Sequence, residues 1–431
     1  MSLTTPRHIP LSQSMTAGAY PAAPGPVAEP PSPRYPMYTQ EFATDPHRAY
    51  REMREQFGPL VPVDLAPGVP ATLVINHKIA VRILNDPDHF PADPRYWQET
   101  VPQDSPVLPM MKWFPAARYN VGDVHARYRQ ASADSIDGVD LNALPATVER
   151  IATPLINDFC ERGTADLMSQ YAFPLALEII NHICGCPDDI GRRIAAGMAA
   201  RFDTVRAEEG MGILKSALME LIHLKRDRPG DDATSRLAEH TTALDDVEVF
   251  AQLMSFYGAG FEAQRNLITN ALLLMITEPQ YGPGDTFGGN LSTDDAIDNV
   301  LFNDPPMANF CTTYPRQPIP VADTWLPAHQ PVVISLSACN NDPEIRNDYD
   351  TPGGSFVGNR SHLAWSVGPH ACPAQSLART AVRSAIDVVL NAIPDLRPDT
   401  RQELVWRPGP FHRALAGLPV VFEPAPPLPV M

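Results

Sequence analysis

Leu363-Ala-Trp-Ser-Val-Gly-Pro-His-Ala-Cys-Pro-Ala-Gln-Ser-Leu-Ala-Arg379 is the stretch on which the fold of this 431-residue chain turns. Gly368 and Pro369 form a turn-prone approach to Cys372. Beyond the cysteine, apolar residues at Ala374, Leu377, Ala378, Val382, Ala385, Ile386 and Val389 recur at helical spacing. Pro373 suits the first position of that helix, because the N–H it lacks would be unpaired there. The pattern thus predicts Cys372 at a helix N-terminus, where backbone N–H groups and the helix dipole lower a thiol's pKa. A thiolate there is available to a metal. A buried core cysteine explains the local chemistry equally well.

The rest of the chain bounds the answer. Hydrophobic residues make up 44% and charged residues 19%, the balance of a globular protein with a large core. The net charge of −17 argues against general binding to nucleic acid or anionic membranes. No apolar run approaches the roughly 20 residues that span a bilayer. The N-terminus lacks a basic-then-apolar signal pattern, and the six cysteines form no regular framework. Both point to a cytoplasmic protein. Prolines crowd the first 36 residues, which read as a flexible leader before a single domain from 37 to 431. Cys160, Cys311 and Cys339 read as core. His182, Cys184 and Cys186 lack the second pair of a zinc site.

Helical patterning dominates, with small sheets. Helices are expected from Asp45 to Phe57 and from His77 to Asn85, with short strands at Leu60 to Val63 and Ala71 to Ile75 between them. Phe90 to Asn120 is a long aperiodic stretch, of the kind that is often functional. A single long helix is expected from Ala251 to Ile276 and strands after Pro305.

Four motifs stand in order along the chain. His125 and Arg129 lie one helical turn apart in Asp123-Val-His-Ala-Arg-Tyr-Arg129. Phe256-Tyr-Gly-Ala-Gly-Phe-Glu-Ala-Gln264 puts glycines inside a helix, at about 1 kcal/mol each relative to alanine. Tyr314-Pro-Arg316 precedes a strand-like run, and Gly368-Pro-His-Ala-Cys372 closes the series. In this order the chain resembles the cytochrome P450 family, from about Thr39 to Pro424. The family's cysteine loop reads Phe-Gly-x-Gly-x-His-x-Cys-x-Gly. Gly368, His370 and Cys372 match it, while Trp365, Ser366 and Ala374 depart from it.

The resemblance implies a mainly α fold with small β-sheets and a haem b group ligated by Cys372. It implies that His125, Arg129, Arg316 and His370 hold the haem propionates. Ala259, Gly260, Glu262, Ala263 and Gln264 would line the oxygen-side pocket, and ferredoxin with ferredoxin reductase would supply electrons. Trp97, Met110, Met111, Trp113, Phe114, Phe256 and Phe411 are candidate contacts for an apolar or aromatic small molecule. Arg360, His362, Arg379 and Arg383 are either a basic docking patch or a solvated surface.

Two departures bear on the reaction. Ala263 stands where the family has a threonine that helps deliver protons. Asn299-Val-Leu-Phe302 stands where it has a charged Glu-x-x-Arg, as in a subset of actinobacterial members. Glu262-Ala-Gln-Arg265 spells that motif on the oxygen-side helix, a coincidence of sequence. Pro373 removes one backbone N–H that the family points at its sulfur. The reading is a monooxygenase of secondary metabolism. Oxidative coupling, rearrangement or peroxide-driven chemistry, or a non-catalytic haem protein, are the alternatives.

Overall fold

The computed structural model describes residues 33–201, 207–281, 291–345 and 360–429. Most of the proposed leader, residues 1–32, lies outside them. Its last part does not behave as a leader. Tyr35–Pro36 pairs in parallel with Leu60–Ala66, and the Met37 N–H donates to the Asp64 carbonyl. Tyr35 and Pro36 therefore belong to the sheet.

Local chemistry sets the first elements. Asp45 accepts from the Arg48 N–H and Pro46 occupies the first turn, which starts the helix Pro46–Phe57. Gly58, at φ 75°, ends it and turns the chain into Leu60–Ala66. That strand forms an antiparallel pair with Val69–Val74. Asn76 then caps the helix His77–Leu84. Val332–Ile334 joins Val69–Val74 in parallel, and Cys311–Thr313 closes a five-stranded sheet. Thr164–Asp166, Pro419–Val421 and Arg397–Pro398 form a second, three-stranded sheet. Ile319–Val321 and Thr324–Leu326 form a hairpin.

Helices make up the rest of the body. The helix Gly122–Asp137 carries His125 and Arg129. The helices Leu144–Asn157, Phe261–Thr277 and Gln375–Ala392 share one core, in which Ile156, Ile268, Ala385 and Val389 are fully buried. The helix Thr293–Asn303 begins in a capping box made by Ser292 and Asp295. No helix among the described residues is long and apolar enough to cross a membrane.

The single helix expected from Ala251 to Ile276 is divided. Asp246–Ser255 is α-helical, Phe256–Gly260 takes a wider π-helical turn, and Phe261–Thr277 resumes the α-helix. Gly258, Ala259 and Gly260 carry little side chain with which to hold regular packing there, and π-turns within helices recur at functional sites.

Candidate functional site

The cysteine loop is fixed by its backbone. Leu363 N–H donates to Asn340 Oδ1 at 2.7 Å, and Cys372 N–H donates to the Trp365 carbonyl at 2.8 Å. Gly368 has φ 75°, and a Cβ there would lie 2.3 Å from the Leu84 carbonyl oxygen. Only glycine fits that approach. Ser366, where the family's pattern has glycine, also takes a left-handed backbone at φ 58°. Ala374, at the pattern's last glycine, has φ −103° and needs none. Its helix starts at Gln375 with Ala374 as the N-cap, so Pro373 lies ahead of the helix and not at its first position. The direction of the thiol's pKa also differs from expectation. Burial pushes Cys372 up, and this outweighs the Ala374 N–H at its sulfur and the nearby Arg129 charge.

Cations gather beside this loop. The His125 and His370 rings lie 4.4 Å apart, and His125 hydrogen-bonds the Pro369 carbonyl. Burial, helped by His125, Arg129 and Arg118, depresses His370 to about 4. Arg118 and Arg129 make no hydrogen bond or ion pair among the described residues. His125 Nε2 is buried without a partner there. Arg118 lies 3.6 Å above the Phe310 ring. No motif marks Arg118 in the sequence. It is placed by Gln252, buried on the facing helix, which accepts from the Ala117 N–H and donates to the Pro115 carbonyl. Arg316 is exposed, and its charge acts on Asp93.

On the oxygen side, Ala259 and Gly260 are exposed between the fully buried Tyr257 and Phe261. A strip of helix with almost no side chain is therefore open to close approach. Ala263 is half-buried, and Gln264 is buried with Nε2 unpartnered among the described residues. Glu262 is committed elsewhere. Arg407 donates to its Oε1, Asn266 Nδ2 donates to the same oxygen at 3.1 Å, and Arg265 Nη2 lies 2.6 Å from Oε2. Burial raises its pKa, but the two guanidinium groups outweigh that and hold it at about 2. Glu262-Ala-Gln-Arg265 thus forms a buried ion pair within its own helix.

The apolar candidates divide. Trp97, Met111 and Phe411 are at most 4% exposed, in the core under the large sheet, where Trp97 packs on Tyr314. They are removed from the substrate set, because close packing already uses their surface. Met110, Trp113, Phe114 and Phe256 are half-buried. Arg360, Arg379 and Arg383 pair with Asp294 and Asp298, and His362 is buried.

These residues fit a flat, dianionic macrocycle with a metal at its centre. Cys372 offers sulfur to a metal, and Arg118 and Arg129 offer donors without partners among the described residues. Ala259 and Gly260 expose helix backbone that carries almost no side chain. No family model matches the chain. It is 27% identical over 417 residues to the cytochrome P450 monooxygenase PikC of Streptomyces venezuelae, covering 92% of this chain and 95% of that protein. It is 26% identical to the vitamin D(3) 25-hydroxylase of Pseudonocardia autotrophica, covering 91% and 97%. The solved structure of CYP154A1 from Streptomyces coelicolor A3(2) matches with TM-score 0.73 at 25% identity, covering 88% and 98%. CYP154C4 from Streptomyces sp. W2061 shares the fold, with TM-score 0.79 at 23% identity, covering 92% and 99%.

Two outcomes follow from this geometry. Ser366→Gly relieves a left-handed serine and stabilises the chain by about 1 kcal/mol, whereas Gly368→Ala destabilises it by more than 1–3 kcal/mol through strain and collision. Denaturant midpoints read both. Glu262 is held ionised, so its contribution to stability is present above pH 4.5 and is lost as pH falls toward 2. It amounts to roughly 3 kcal/mol. Acid unfolding of Glu262→Gln is correspondingly shallower over that window. At neutral pH the same change costs about 3–5 kcal/mol, because two arginines lose their counter-charge.

Proposed function

This chain belongs to the cytochrome P450 family of monooxygenases, and from that premise we propose that it oxidises an apolar or aromatic intermediate of secondary metabolism as a haem-thiolate enzyme. Cys372 would hold the iron of a b-type haem through its sulfur. His125, Arg129, Arg316 and His370 would hold its propionates, with Arg118 close to His370. The observation that carries this reading is Cys372, held in a rigid loop beside two arginines that lack carboxylate partners among the described residues. When bound, the haem supplies dioxygen activation, and a thiolate ligand favours cleavage of the O–O bond.

The chain's own residues do the rest. Arg118 and Arg129, with a ring N–H of His370, would orient the carboxylates of the macrocycle. Ala259 and Gly260 admit its face to the helix. Met110, Trp113, Phe114 and Phe256 offer apolar surface to the substrate. Electrons come from a ferredoxin and its reductase in the cytoplasm.

A second reading is favoured by one observation. Glu262 is locked between Arg265 and Arg407, and Ala263 has no hydroxyl, so neither relays a proton. A hydroxyl on the substrate or an ordered water then supplies it. Otherwise the enzyme performs coupling, rearrangement or peroxide-driven oxidation, or serves as a haem-binding partner without turnover.

The reduced, carbon monoxide-bound protein is expected to show a thiolate-type Soret band that disappears in Cys372→Ala. Absence of bound haem in the wild type refutes the reading. With a ferredoxin system, a product heavier by one oxygen supports monooxygenation, and a coupled product without added oxygen supports the second reading. Pro373 donates nothing to the sulfur, so Pro373→Leu, which restores an N–H, is expected to raise the haem reduction potential. An unchanged potential shows that position 373 does not tune the thiolate.

A further inference from the structure

We propose that Asp298 is a positioning residue for Cys372, its buried carboxylate gripping the cysteine segment on both sides through Arg360 and Arg379. The functional meaning rests on Cys372 being the haem ligand. The geometry is independent of that reading.

Asp298 sits in the middle of the helix Thr293–Asn303 and is 1% exposed. A carboxylate so buried is costly unless its oxygens are paired. Here both are. Arg379 Nη1 donates to Oδ1, and Arg360 Nε donates to Oδ2 at 3.3 Å. Arg360 stands 12 residues before Cys372 and Arg379 stands 7 after it. One carboxylate therefore ties together the entry to the loop and the helix that leaves it.

Neighbouring contacts direct the loop's entry to the same helix. Asn340 Nδ2 donates to the Leu301 and Phe302 carbonyls at 3.0 and 3.1 Å, while its Oδ1 accepts from Leu363 N–H. The His362 ring packs edge-on against Phe302 at 5.3 Å. Asp294, one turn earlier, makes a different set of contacts. It pairs with Arg379 and Arg383, both on the helix Gln375–Ala392, and does not reach the entry side. Asp298 alone among these two carboxylates spans the loop. Asn299-Val-Leu-Phe302 supplies no charge, so the carboxylate comes from the residue just before it and both cations come from the flanks of the cysteine loop.

The test uses the full-length protein expressed with haem, as wild type, Asp298→Asn, Asp298→Glu, Arg360→Gln and Asp294→Asn. The wild-type spectrum comes first. If it lacks the thiolate-type Soret band, the haem-thiolate reading fails, and the clamp is then judged by amide hydrogen exchange over residues 361–374. With the band present, Asp298→Asn is expected to convert part of it to the band of a protonated thiol. Transfer of haem to apomyoglobin should be roughly 10–100-fold faster, as for other groups that orient a metal ligand. Exchange over 361–374 should quicken in parallel. Asp298→Glu restores most of the band, Arg360→Gln gives a smaller shift in the same direction, and Asp294→Asn stays near wild type. If Asp298→Asn fails to fold by circular dichroism, Arg360→Gln carries the same measurements, since it shortens only an exposed partner. An intact band and protected loop in Asp298→Asn, or an Asp294→Asn variant that behaves like it, overturns the proposal.

Discussion

Everything at the centre of this molecule depends on how tightly the segment from Leu363 to Ala374 is held. A single sulfur is useful to a metal only if its position is set within a fraction of an ångström. Three devices set it here. The backbone passes twice into the left-handed region, at Ser366 and Gly368. Gly368 lies against the Leu84 carbonyl so closely that any side chain would collide. Main-chain and asparagine hydrogen bonds fasten Leu363 and Cys372. The strain at Ser366 is tolerated because its surroundings leave the backbone no other path.

Buried charge is the second organising force. Asp298 and Glu262 are each met by cations brought from elsewhere in the chain: Arg360 and Arg379, and Arg407. In each case the carboxylate is on or beside a helix and at least one partner is on a distant segment. Such pairs give modest net stability, but removing one member leaves a charge that the interior cannot solvate. They therefore specify how segments meet more than they strengthen the fold. Glu262 shows the functional side of this. Two arginines hold it ionised, so it anchors the C-terminal loop carrying Arg407 and is withdrawn from proton transfer. With Ala263 beside it, the oxygen side of the site is poor in protons that the protein itself can supply.

Much of the architecture was legible in the chain. The helices ending at Phe57 and near Leu84, the strands between them and the helix after Cys372 follow from periodicity and caps that act locally. His125, Arg129, His370 and Cys372 stand in short motifs that resemble the family's, and the fold brings the His125 and His370 rings to 4.4 Å of each other. The misreadings have a common cause. Trp97, Met111 and Phe411 have the composition of a pocket, and in sequence a pocket residue and a core residue look alike. Arg360, Arg379 and Arg383 read as a basic patch in the sequence, and only the fold shows that each is paired with Asp294 or Asp298.

The sequence by itself determined the mainly helical class, the thiol at the loop before the last long helix and the absence of the oxygen-side hydroxyl at position 263. Each is carried by residues close together in the chain, where backbone geometry and side-chain chemistry act within a turn or two. Only the tertiary structure decided which charges are paired, that Arg118 joins the two histidines, and that Glu262 and Asp298 are structural anchors. Those outcomes depend on contacts between segments tens to hundreds of residues apart. Burial makes such contacts obligatory, but no local pattern encodes the partner.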